Sequence, residues 1–284
     1  MNKSAQDDRE NMKGYWSRRE ALLSSTDRSE ADLSTASSGP LRGAGQPRMS
    51  LYGRDEEDFE DLDIKLAGRS IIECTPDAEA LAIVAMLAEA TRGWSTFKPD
   101  MIVDLFAGTG NLLWNVGRAV DAQTLGYESN SLVFGCTSHN SERLGLGINL
   151  RHASYSSFAI EFSSSRMSGE EGHAESLLFI VDPPWGSAYD PVGGLDLFGT
   201  TPSIPDLLEW VRATFGRRQP VHVLLKATEM MPEESRRFLY GLDIRGLRRV
   251  GTDSKSPTTT APTDRHVAVA LDIRLRLMSS CLIR

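Results

Sequence analysis

The run Leu177-Leu178-Phe179-Ile180-Val181, closed by Asp182-Pro183-Pro184-Trp185, constrains this chain more than any other stretch. An apolar, β-branched run stopped by two prolines reads as a buried strand that ends abruptly. Neither proline donates a backbone hydrogen bond, and the first holds Asp182 in extended conformations. An acid at the carboxyl end of such a strand sits where open α/β sheets place their ligands. An acid, a rigid turn with free carbonyls and an aromatic plate suit a planar, amino-bearing group. The same four residues also make an ordinary strand end with a turn, so the rest of the chain must decide between them.

Strands and helices alternate on both sides of that stretch. Thr75-Pro76-Asp77 is a helix start, with Thr75 as N-cap, Pro76 at the first helical position and Asp77 in the first turn. Apolar residues follow at helical spacing to near Gly93. A strand over Asp100–Phe106 then leads through Ala107-Gly108-Thr109-Gly110-Asn111 into a helix from Leu112 to about Arg118. The pattern continues with strand Thr124–Glu128, helix Ser131–Leu144, a strand near Asn149–Ala153, a polar segment at Ser163–Glu175 and the Leu177–Asp182 strand. Beyond it come a helix near Pro205–Phe215, strand Val221–Ala227 and a helix at Pro232–Leu239. Strands Asp243–Val250 and His266–Leu277 close the chain as an antiparallel hairpin across a Thr/Pro-rich loop. The expectation is an α/β fold: a doubly wound, mostly parallel Rossmann-like sheet with a C-terminal antiparallel hairpin.

Residues 1–62 are expected to form a polar, acidic and largely disordered tail, with one short helix near Tyr15–Leu23, because such a composition buries too little to offset ordering entropy. Residues 63–284 form the folded domain, and the acidic run Asp55–Asp63 reads as a solvated lead-in. The formal charge is −8, of which residues 1–63 (9 Lys+Arg, 14 Asp+Glu) hold −5. The near-neutral remainder makes no case for tight, salt-dependent binding to long nucleic acid. No run is long and apolar enough to span a bilayer, and none reads as a signal peptide. Cys74, Cys136 and Cys281 are scattered, with no pattern for a metal or a disulfide framework, which points to a reducing, cytoplasmic setting and to no metal. Trp94, Trp114, Trp210 and His222 read as packing residues, and Lys226 either as a strand-end lysine or as a contact for a phosphate or carboxylate. Nothing in the chain speaks to oligomeric state.

The loop Asp104-Leu105-Phe106-Ala107-Gly108-Thr109-Gly110 lies between a strand and a helix, and its glycines permit a tight turn with the backbone close to a ligand. A second acid, Glu128, ends the next strand, where a carboxylate can hold a ribose diol. Neither GxGxxG nor the Walker lysine is present. Together these residues resemble the S-adenosyl-L-methionine loop of class I methyltransferases, over roughly residues 70–277. The resemblance implies that S-adenosyl-L-methionine is the cofactor. It places Asp104 near the methionine amino group, Phe106, Gly108 and Gly110 along the methionine and ribose, and Glu128 on the ribose hydroxyls. Ser154 follows the third strand, where the family often carries an Asp.

Methyltransferases of this class that act on amino groups carry Asn/Asp/Ser-Pro-Pro-aromatic after the fourth strand, which is where Asp182-Pro183-Pro184-Trp185 falls. An exocyclic amine on a ring is a poor nucleophile, because its lone pair is delocalised. By the resemblance, Asp182 and the Pro183 carbonyl accept its two N–H bonds and Trp185 stacks on the ring, while Tyr189 and Asp190, just past the motif, are candidates for the substrate loop. Positioning of this kind can supply several kcal/mol of a barrier.

Three stretches resemble the RNA cap guanine-N2 methyltransferases, the trimethylguanosine synthases, in particular. Asp63-Ile64-Lys65-Leu66 with Cys74-Thr75-Pro76-Asp77 is similar to their "G-I-K-L/M-D … V-T-P-E" entry. His139-Asn140-Ser141-Glu142-Arg143-Leu144-Gly145 is similar to their "A-x-x-N-A-x-x-Y-G" helix. Pro183–Tyr189 followed by Leu195-Asp196-Leu197 is similar to "S-P-P-W-G-G-P-x-Y … F-D-I/L". By this resemblance Thr75 helps wall the cofactor or substrate, and a 7-methylguanine on Trp185 gains a cation–π term. Asp182 stands where that family has Ser, as in adenine-N6 enzymes. The expected function is methyl transfer to an exocyclic amine, with guanine N2 of RNA or of a cap-like nucleotide favoured. A small molecule, adenine N6 or a protein amide is the alternative acceptor, and a catalytically silent binding domain the alternative of another kind.

Overall fold

The computed structural model describes residues 48–242 apart from 93–96, 169–175, 191, 217–219 and 229, the backbone of 247–249 and 266–272, and residues 17, 30, 31, 33 and 41. These residues form a seven-stranded sheet. Its strands are β1 (Met101–Asp104), β2 (Gln123–Glu128), β3 (Leu150–His152), β4 (Leu177–Val181), β5 (Val221–Thr228), β6 (Leu247–Arg249) and β7 (His266–Asp272). The order across the sheet is β6-β7-β5-β4-β1-β2-β3. The strands from β3 to β5 run parallel, and β7 pairs antiparallel with both β5 and β6. This is the expected α/β sheet with its closing antiparallel hairpin.

All five residues of β4 and all eight of β5 are buried, which is why β4 is apolar without a break and β5 keeps only His222, Lys226 and Thr228 as polar residues. Successive side chains still go to opposite layers. Ile102, Leu178, Ile180 and Leu224 meet α1 (Asp77–Thr91) and α2 (Asn111–Val120) through Ala80, Ile83, Leu87, Leu112, Leu113 and Val116. Val103, Phe179, Val181, Val223 and Leu225 face the other way. There they meet Phe158 and Phe162 of α4 (Ser157–Ser168), Leu207, Leu208 and Val211 of α5 (Ile204–Thr214), and Phe215. In the chain α3 (Ser131–Leu144) runs between α2 and α4, and α6 (Glu233–Gly241) follows α5.

Several expectations change. Residues 48–62 are folded rather than tail: Met49, Leu51, Tyr52 and Phe59 are buried with Ile64, Leu66, Ile71 and Cys74 in a third apolar cluster, which Leu33 and Leu41 join. Their apolar residues follow neither a helical nor an alternating period, so composition hides them. Glu56, inside the supposed solvated run, is buried and accepts the backbone N–H groups of Leu41 and Met49 at 3.3 and 3.0 Å. Thr75 is not the N-cap of α1. The helix begins at Asp77 with Pro76 as N-cap, and the Thr75 hydroxyl turns elsewhere. The polar segment from Ser163 continues α4 as far as Ser168. The helix expected over Tyr15–Leu23 lies outside the described residues except for Ser17, as do Trp94, Cys281 and the end of the last strand beyond Asp272.

Candidate active site

The sheet order reverses direction between β1 and β4, and a crevice opens at the carboxyl ends of their strands, the usual ligand position in such folds. The crevice holds a cavity of about 530 Å³. Asp104 and Glu128 end β1 and β2, and Asp182 follows β4 directly. Asp104, Phe106, Gly108, Glu128, Thr75, Ser154, Asp182, Pro183, Trp185 and Tyr189 all line this cavity. Gly110 does not. It caps the N-terminus of α2 at φ +71, where a Cβ would crowd Thr137 and Ile148 at 3.3 and 3.2 Å.

The glycine turn is held from several sides. Gly108, at φ +51, donates its N–H to Glu128 Oε2 at 3.1 Å, and its carbonyl accepts the Thr137 hydroxyl of α3 at 2.7 Å. The other Glu128 oxygen accepts the Asn130 N–H at 2.7 Å, and Asn130 in turn N-caps α3. From the N-terminal segment, Tyr52 donates its hydroxyl to the Thr109 carbonyl at 2.5 Å and its N–H to Asn111 Oδ1 at 2.9 Å. Asn111 Nδ2 donates to the Thr75 carbonyl at 2.8 Å. Residues 48–62 thus brace the glycine loop through Tyr52.

Asp104 is 2% exposed, and Oδ1 accepts the Phe106 N–H at 3.0 Å. Burial pushes its carboxyl up to about 8, against that hydrogen bond and with the charges of Asp182 and Glu128 adding to the rise. Burial also raises Glu128, opposed by its bonds from Asn130 and Gly108. Phe106 and Tyr155 stand 5.4 Å apart at 46° beside Ser154, and Tyr155 meets Trp210 edge-on at 5.1 Å.

Beneath Asp182 lies a group that sequence reasoning left open. Lys226 of β5 is 4% exposed, and its Nζ donates to Thr75 Oγ1 at 2.8 Å and Asp182 Oδ2 at 3.0 Å. Glu79 Oε1 of α1 is 3.3 Å from the same ammonium. Burial pulls this lysine's pKa down, but the two carboxylates more than offset that and hold it above the usual lysine range. Asp182 is itself raised by burial, with Lys226 opposing. The ammonium also lies 5.8 Å from the Trp185 ring centroid, and Tyr189 packs 5.5 Å from that ring at 34°. Glu79, Tyr155 and Arg69 were missed as lining residues. Of these, Glu79 alone carried a sequence signal, an acid in the first turn of the helix that Thr75 precedes.

The stretches singled out in the sequence also meet each other. Asn140 of α3 accepts the Lys65 N–H and donates to the Lys65 carbonyl, at 2.7 Å each, as a neighbouring strand would. His139 Nε2 lies 2.9 Å from the Asp63 carbonyl. Asp190 faces outward, where its carboxylate accepts the N–H groups of Val192 and Gly193, so it caps a turn. His222 is buried beside Phe97, and Trp114 packs edge-on against Tyr52. Among the described residues no helix is long and apolar enough to cross a membrane, and no three His, Cys, Asp or Glu side chains are grouped to hold a metal.

No family model matches this sequence, and no curated protein matches it significantly. Solved structures similar to it include precorrin-6y C5,15-methyltransferase from Geobacter metallireducens GS-15, at 10% identity over 72% of this chain and 92% of that one, with TM-score 0.42. Another is an RNA methyltransferase from Salinibacter ruber in complex with S-adenosyl-L-homocysteine, at 12% identity over 72% and 96%, TM-score 0.38. A third is an rRNA methylase from Streptococcus thermophilus, at 12% over 68% and 94%, TM-score 0.36. Likeness at this level bears on neither activity nor substrate, which must be read from this chain's own residues.

Proposed function

We propose that this chain is an S-adenosylmethionine-dependent methyltransferase acting on an exocyclic amino group, with guanine N2 of an RNA cap or cap-like nucleotide as the favoured acceptor. The observation that carries the reading is one cavity shared by the glycine turn with its two strand-end acids and by Asp182-Pro183-Pro184-Trp185. Its volume suits a nucleoside-sized ligand.

The residues present fit the cofactor. Asp104 offers a buried carboxylate to an ammonium group, Glu128 offers acceptors to a ribose diol, and Phe106 with Tyr155 offers an aromatic wall to a purine. When bound, S-adenosylmethionine supplies a methyl group on a sulfonium, which departs as a neutral thioether as an amine lone pair takes the methyl. The chain's own contribution is orientation. Asp182 accepts one N–H of the acceptor and the Pro183 carbonyl the other, so the lone pair is turned out of the ring. Trp185 fixes the ring plane, and the proton shed by nitrogen passes by way of Asp182 to water.

The lining charges favour a cap over an internal RNA position. Glu73, Glu79, Glu128 and Asp182 face only Arg69 and Lys226, a negative excess that suits a cationic base such as an N7-methylated guanine. Radiolabelled cofactor incubated with capped RNA, uncapped total RNA and a metabolite extract tests the reading. Label on N2 of the cap guanine is expected, and is expected to vanish in Asp182→Ala while cofactor binding persists. Label in the metabolite fraction alone would move the acceptor to a small molecule. Failure to bind S-adenosylmethionine in calorimetry would leave a silent binding domain.

A further inference from the structure

We infer that Lys226 is a positioning residue for the proposed transfer: it pins one oxygen of Asp182 and keeps that carboxylate ionised, so that the other oxygen is presented to the acceptor amine. The inference rests on the methyl-transfer reading above, but it stands on geometry specific to this chain.

A lysine inside a sheet is costly unless it is paired. Here β5 buries one at its carboxyl end, directly under the strand-end acid of β4. Among the described residues, both hydrogen bonds to the Asp182 carboxylate, from Lys226 and from Thr75 at 3.5 Å, fall on Oδ2. Oδ1 is therefore the acceptor for a substrate N–H. The contact between Thr75 and Lys226 holds the ammonium from a third direction and explains why the Thr75 hydroxyl is withdrawn from its helix.

The lysine is also placed to set the ionisation of the carboxylate. The titratable groups facing Asp182 are Lys226 from β5, Glu79 from α1, Glu73 from the helical turn Ser70–Glu73, and Asp104 from β1, which its own burial keeps neutral up to about pH 8. Three of the four are acids, and burial acts in the same direction as they do. Of these four groups Lys226 alone favours the ionised form. An amine gives up N–H character to a carboxylate far better than to a neutral acid, whose proton would compete for the same oxygen. Glu79 shares the ammonium with Asp182 and so weakens its hold.

This arrangement makes opposite predictions for two neighbours. Lys226→Met should raise the midpoint at which Asp182 titrates, and Glu79→Gln should lower it. Carboxyl carbon-13 NMR of an aspartate-labelled chain reads that midpoint without cofactor or acceptor, with Asp182 assigned by the signal lost in Asp182→Asn. A rise of about one pH unit or more is expected in Lys226→Met, and a fall in Glu79→Gln. The acid limb of kcat for methyl transfer should move the same way in each variant, with kcat for Lys226→Met lowered about 100-fold on the plateau and KM for the cofactor unchanged. If Lys226→Met does not fold, Lys226→Gln carries the test by the same two readouts, the upward shift of the Asp182 midpoint and the lowered kcat. Wild-type activity with an unmoved midpoint in the variants that fold overturns the inference and leaves the methyltransferase reading intact. A wild-type chain that binds no S-adenosylmethionine and transfers no methyl overturns both.

Discussion

Glu128, the acid that closes β2, accepts the backbone N–H of Gly108 at 3.1 Å and so fastens the turn that closes β1. Its second oxygen fastens the start of α3 through Asn130 at 2.7 Å. One carboxylate therefore holds two ligand-facing segments in register before any diol is bound.

Glu128→Ala should release both N–H groups. Each is a charge-assisted bond, worth roughly 1.5–3 kcal/mol. We expect affinity for S-adenosylmethionine or S-adenosylhomocysteine to fall more than tenfold in calorimetry, with far-ultraviolet circular dichroism unchanged. Unaltered affinity would show that the acid has no part in shaping the cofactor turn.

Asp104 should make the free protein less stable as pH rises. In the folded chain burial pushes its carboxyl up to about 8, whereas an unfolded aspartate titrates near 4. Between those values the folded state binds more protons than the unfolded one, so stability falls with rising pH and levels off above about 8. The slope is at most about 1.4 kcal/mol per pH unit. Asp104→Asn should flatten it, and be the more stable form near pH 8, in urea titrations at several pH values. Parallel curves for the two proteins would mean that Asp104 is ionised throughout.

Asn140→Ala removes both bonds to Lys65, leaving a backbone N–H and carbonyl without their partner. A loss of about 1–3 kcal/mol is expected, with faster hydrogen exchange confined to residues 63–74. Exchange that speeds up uniformly, or not at all, would count against a local clasp.

Gly194→Ala should disturb the loop after Trp185. Gly194 sits at φ +82, and an added Cβ would overlap the backbone carbonyl of Met230, which accepts the Leu195 N–H at 2.8 Å. The strain and the collision together should cost about 1–3 kcal/mol in thermal or urea melts and raise the acceptor KM more than the cofactor KM. Equal effects on both would detach this loop from acceptor binding.

Much of the fold is legible because its signals are local. Residues Leu177–Val181 are apolar without a break, and each is fully buried. Helix α3 carries its own start and stop, with the Asn130 side chain accepting the N–H groups of Leu132 and Val133 and Gly145 in the left-handed conformation beyond its end. Residues 48–62 are illegible in the sequence for the converse reason. Met49, Leu51, Tyr52 and Phe59 have no period of their own, and they are buried only because residues 59–74 supply a surface for them. Thr75 misleads in a similar way. Its context is that of a helix cap, but its hydroxyl is claimed by a lysine far along the chain.

By itself the sequence determined that an acid stands at each of three strand ends and that a rigid Pro-Pro-Trp follows the last of them, since strand length, proline geometry and glycine turns are properties of adjacent residues. Tertiary structure alone decided how those acids are charged. Asp104 is raised by the burial that packing imposes, and Asp182 is opposed in its rise by Lys226, an ammonium brought beside it by β5 and shared with Glu79 from α1. Ionisation depends on distance and solvent exclusion between groups remote in the chain, and neither is a property of any single stretch.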